Sequence, residues 1–196
     1  AGDDLVVNGT YDLQANMLAG PGNILLQAGS QMTISTASLK QLQNVIITNN
    51  GSVNWQDGNI RFDAPNSSVI NNGTFTISGN NTSFFNGGRL SITNNGTFTK
   101  TSTGTSNVTG ILLFSNAGTI NYNGGNFVFG DANAGGTFTN AGSLVFNTGT
   151  FSVGPGCIYN HNSGSSISGN GSFTNEGTTN FNINQTFLST ISFSST

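Results

Sequence analysis

Charge is the scarcest property of this 196-residue chain, in which four Lys+Arg and seven Asp+Glu make up 6% of the residues and leave a net charge of −3. A nucleic-acid-binding face needs a cationic footprint. The four cations, Lys40, Arg61, Arg89 and Lys100, are scattered instead, which excludes nucleic acid as a partner and also a polybasic membrane patch. No apolar run is long enough to span a bilayer, so membrane insertion is not expected. The single cysteine, Cys157, allows no internal disulfide and reads as a small buried apolar residue. The single histidine, His161, has no second histidine to share a metal with and reads as a solvated loop residue. With three prolines and no helix-favouring stretch, the chain is left with turns and short strands.

What the chain has is Gly, Asn, Ser and Thr, together with 15 Phe. Disordered chains are poor in aromatics, and here the aromatics are periodic. One unit recurs: Asn, any residue, Gly, Thr or Ser, then usually an apolar residue. It begins at Asn49, Asn71, Asn94, Asn116, Asn140 and Asn175, and its glycines are 22, 23, 22, 24 and 35 residues apart. Such a period marks a repeat architecture. The long last interval predicts an insertion near 154–171. Each period holds two more short strands, for example Gly125 to Phe129 and Ile111 to Phe114, alternating apolar with polar and bounded by Gly or Asn.

Three short strands per 22–24 residues make one turn of a coil, so the expected fold is all-β: a single-stranded parallel β-solenoid. Parallel crossovers favour the right hand. An antiparallel meander also uses Asn-Gly turns, but it does not place the same residue type at the same phase of every turn. In stacked coils the six asparagines form one column whose amides hydrogen-bond along the axis. The glycine beside each supplies left-handed backbone at a corner. Phe75, Phe98, Ile120 and Leu144 form one core column, and Phe127 and Phe151 another. The reading divides a single domain into irregular N-terminal coils or a cap over 1–43, repeat coils over 44–184, and a C-terminal edge strand over 185–196.

The Asn-x-Gly-Thr-apolar units resemble the degenerate repeats of large bacterial surface β-helices, the filamentous-haemagglutinin-like and autotransporter-passenger-like proteins. The resemblance is one of repeat style and transfers no functional residue. It implies a secreted or surface-attached bacterial protein, an adhesin or a matrix component. The opening Ala1-Gly2-Asp3-Asp4 is what removal of a signal peptide leaves, giving an extracellular or cell-surface location.

No catalytic residue, metal site or cofactor is expected. Asp57 and Asp63 flank Arg61, the residue types that pectate-lyase-like helices use with calcium, but no further carboxylate completes a calcium shell. This makes a polysaccharide lyase the remote alternative and an exposed ion pair the simpler reading. Three Thr-Phe-Thr triplets, at 74–76, 97–99 and 137–139, invite comparison with ice-binding faces. The ranks break at Asn121 and Val145, and β-propensity accounts for the threonines. A lateral face with Trp55, Tyr122, Arg61 and Arg89 would suit surface glycans and defines the adhesin alternative. The leading expectation is a non-catalytic structural subunit that assembles with itself, head to tail. Its contact strand is the apolar, uncharged C-terminus with Phe187, Leu188, Ile191 and Phe193.

Overall fold

A computed structural model describes residues 4–14, 16–63, 67–80, 82–86, 89–109, 111–130, 135–184 and 192–195. These form 22 strands and no helix, so no helix is long and apolar enough to cross a membrane. Every strand pairing is parallel. The chain is a parallel β-solenoid with three faces.

The first face stacks Leu5–Val7, the end of Asn16–Leu26, the end of Lys40–Asn49, Ser68–Asn71, Arg89–Asn94, Ile111–Asn116, Gly136–Asn140, Cys157–His161 and Thr178–Phe181. The second stacks Thr10–Leu13, Gln31–Ile34, Ser52–Trp55, Thr74–Ile77 and Thr97–Lys100, then the first halves of Thr119–Phe129 and Ser143–Val153, then Ser166–Gly169. The third carries Ile60–Phe62, Ser83–Asn86, Thr105–Val108, Ser172–Asn175 and Ser192–Ser195, with the remaining halves of the long strands. Two of the long strands, Thr119–Phe129 and Ser143–Val153, turn the corner between the second and third faces, with a register shift between Tyr122 and Asn126.

Alternation puts every second residue inside. Trp55, Tyr122, Phe75, Phe98, Phe127 and Phe151 are all buried in one continuous core. Like sits on like along the axis. Phe75 and Phe98 stack with ring centroids 5.0 Å apart and Phe114 and Phe138 at 4.7 Å. Such pairs add about 1 kcal/mol beyond their burial. The Phe98 column continues through Ile120 and Leu144.

The glycine of the repeat has a different reason from the one expected. Gly73, Gly96, Gly118 and Gly142 are not among the left-handed glycines. They are required because the coil beneath leaves no room: a Cβ at Gly96 would lie 2.1 Å from the Gly73 carbonyl oxygen. Left-handed backbone occurs at other glycines, among them Gly58, Gly125 and Gly149 at the second corner, with φ of 72°, 58° and 90°, and Gly29 and Gly164 in the first-corner turns that lack the motif.

The expected insertion at 154–171 does not appear as one. Cys157–His161 and Ser166–Gly169 are ordinary rungs of the first and second faces. The first 43 residues, expected to be irregular coils or a cap, contribute rungs to all three faces.

Candidate functional site

The side chains that distinguish this solenoid from a plain apolar rod are polar groups inside it. The asparagine column is the clearest. Asn49 Nδ2 donates to Asn71 Oδ1, Asn71 to Asn94, Asn94 to Asn116 and Asn116 to Asn140, each at 2.7 Å. All five asparagines are buried. Each also brackets its own corner or the next: Asn49 Oδ1 accepts from Gly51 N at 3.1 Å, and Asn71 Nδ2 donates to Thr97 O at 3.0 Å. A buried amide left unpaired would cost about 1–3 kcal/mol. Here both ends are used.

Asn175 is not part of that column. It stands on the third face, in register with Val153. It makes the same local bracket, accepting from Gly177 N at 3.2 Å and donating to Gly177 O at 2.9 Å, but at the corner leading into the first face. The column position there belongs to His161 and then Phe181. His161 is buried rather than solvated. The Tyr159 hydroxyl lies 3.0 Å from His161 Nδ1, and Asn140 Nδ2 lies 3.5 Å from the same atom. Burial pushes the Tyr159 phenol well above its usual range.

Where the column lacks asparagine, the corner changes form. After Leu26 and after His161 comes a four-residue turn closed by serine: Ser30 N and Oγ bond Gln27 O, and Ser165 N and Oγ bond Asn162 O. The Asn-x-Gly corner above such a turn sits on its carbonyls. A Cβ at Gly51 would meet Ser30 O at 2.3 Å; the Gly177 corner sits instead on the Gly154–Cys157 turn, in which Cys157 N donates to Gly154 O, and a Cβ there would meet Cys157 O at 2.3 Å.

Two of the four cations are internal. Lys100 is fully buried, and its Nζ donates to Ser102 O, Ser102 Oγ and Gly104 O, each at 2.7 Å. Burial lowers its pKa to about 8. Lys40, also buried, donates to Thr36 O and, at 3.1 Å, to Asp57 O. Its pKa is lowered by burial against the opposing charges of Asp57 and Asp12. Trp55 does the same work with its indole, Nε1 donating to Asp57 O at 3.1 Å and Gly58 O at 2.9 Å. These donors satisfy carbonyls that the second corner turns inward, and Gly104 O accepts from Asn126 N at 3.3 Å as well. The Tyr122 hydroxyl is buried without a partner.

The other residues marked from sequence separate. Arg61 pairs with Asp63, Nε to Oδ1 at 2.6 Å. Asp57 Oδ1 accepts from Gly58 N of its own turn, so the three do not converge. Among the described residues no group of three or more His, Cys, Asp or Glu is placed to hold a metal. Trp55 and Tyr122 point into the core and offer no outer platform for a sugar. Asp3, Asp131, Phe187, Leu188 and Ile191 lie outside the described residues, as does the side chain of Arg89.

The strand that holds Phe193, Ser192–Ser195, pairs in parallel with Ser172–Asn175 of the same rod. Among the described residues nothing pairs its other edge, nor that of Thr178–Phe181, and at the opposite end Leu5–Val7 and Thr10–Leu13 are paired on one edge only. Both ends carry apolar side chains: Met17 is 56% exposed and Phe181 44%. A pocket of about 180 Å³ opens at the first coils between Leu5, Leu18, Ile24 and Val45.

Sequence of alternation could have found the inward polar groups. Lys100 follows Phe98 by two, and His161 follows Tyr159 by two, so each shares its neighbour's face. Compared with family models, with curated proteins and with solved structures, the chain matches none.

Proposed function

We propose that the chain is a non-catalytic extracellular structural protein, a subunit of a surface fibre or matrix that joins head to tail through the ends of its solenoid. The observation that carries this reading is that, among the described residues, the strands at each end of the solenoid are bonded on one edge only. Unpaired edges of this kind recruit further strands. A contact between one end and the other of the next copy is heterologous and propagates. The exposed Met17 and Phe181 add apolar surface at opposite ends. The style of the repeat supports placing the protein among bacterial surface β-helices, exported and held outside the cell.

Negative-stain electron microscopy of the chain at rising concentration tests the proposal. Filaments one solenoid wide are expected, with sedimentation that depends on concentration. Rods of fixed length at every concentration would refute head-to-tail joining.

A further inference from the structure

The outer surface of the second face is a register-locked array. One rank runs Gln31, Ser52, Thr74, and a second, two residues on, runs Thr33, Asn54, Thr76. Between these ranks, and closed by Gln56 and Ser78, lies a shallow trough of about 500 Å³. The side chains of Gln31, Thr33, Gln56, Thr74 and Thr76 make no hydrogen bond among the described residues, whereas elsewhere polar ranks pair from coil to coil, as Asn147 does with Asn123 at 2.7 Å. Within the trough the bond between side chains is Ser78 Oγ to Asn54 Oδ1 at 2.6 Å, which uses the Asn54 amide oxygen and not its nitrogen.

We infer that this trough binds a neutral oligosaccharide lying along the solenoid axis. Coils rise by about 4.8 Å, close to the advance of one pyranose unit along a glycan chain. Each coil therefore offers a pair of outward polar groups at this pitch, Gln31 with Thr33, Ser52 with Asn54 and Thr74 with Thr76, and three coils address three units. Amides and hydroxyls are donors and acceptors at once and match sugar hydroxyls. No charged residue lines the trough. The nearest carboxylate on this face, Asp12, is one coil away and held ionised by Gln14 and Ser35, which disfavours uronate and sialylated chains. The site lies directly outside Trp55, on the other side of the same strand, and owes nothing to that ring.

Saturation-transfer difference NMR on the intact chain tests this with laminaritetraose, cellotetraose and mannotetraose as neutral probes and tetragalacturonate as the acidic one. At least one neutral probe is expected to bind and the acidic one not. The double variant Asn54→Ala, Gln56→Ala is expected to weaken binding about tenfold, while Ser115→Ala, on the first face, leaves it unchanged. Circular dichroism checks that the variants remain folded, as exposed sites should. The inference is overturned if no neutral probe binds, if tetragalacturonate binds as well as they do, or if the double variant binds like the parent. Thermal hysteresis without glycan binding would likewise overturn it, assigning the ranks to ordered water.

Discussion

Asn94 and Asn95 are neighbours in one motif, and the fold gives them opposite weights. Asn94 is buried mid-column, and its loss breaks two axial bonds of 2.7 Å, one from Asn71 and one to Asn116. In Asn94→Ala the Asn116 Oδ1 loses its side-chain donor in a dry core, a cost of about 1–3 kcal/mol. Asn71 Nδ2 keeps Thr97 O at 3.0 Å, so its loss is nearer 1 kcal/mol. Together these give about 3 kcal/mol. Asn95 is exposed and bonds Asn72 at 2.9 Å in water, so Asn95→Ala should stay within about 0.5 kcal/mol. In urea denaturation, with a slope of about 2 kcal/mol/M, the first variant lowers the midpoint by about 1.5 M and the second barely moves it. Equal shifts for the two variants would refute the claim that the internal ladder, rather than the repeat motif as such, holds the coils in register.

Two further perturbations probe the corners. Gly96→Ala places a methyl 2.1 Å from the Gly73 carbonyl and should destabilise by more than about 3 kcal/mol, against no effect for Gly9→Ala, which meets nothing within 4 Å; thermal melts compare them. Lys100, with its pKa lowered to about 8 in the folded chain and about 10.4 when unfolded, binds fewer protons folded than unfolded between those values. Stability should therefore rise with pH across that window by up to about 3 kcal/mol, and denaturation of Lys100→Met should lose this rise.

The period, the parallel stacking and the core columns were legible because the Asn-x-Gly corner repeats in phase with the coil. Asn175 shows the limit of that signal. The motif is a solution to turning a corner, and a three-sided coil has three corners; the bracket Asn175 makes around Gly177 is the one Asn140 makes around Gly142. The motif alone therefore does not say which corner it occupies, and the 35-residue gap reads as an insertion when it is one coil plus a change of corner. His161, and Trp55 and Tyr122 on the adhesin alternative, were misread for another reason. Residue type suggested an outer face or a loop, but strand alternation overrides type. Burial then becomes tolerable because inward corner carbonyls supply acceptors for Trp55 and Lys100. No pattern in the sequence announces those acceptors, since they belong to backbone groups.

The bonds that join one coil to the next all run along the rod. A pull on its two ends therefore loads the coils in series, and each is held by no more than its own perimeter. Detaching one coil of 22 residues pays out about 70 Å of chain where it had occupied about 4.8 Å of length. Such a rod resists bending yet lengthens many-fold under tension, one coil after another, and in doing so limits the force that reaches whatever it is fastened to.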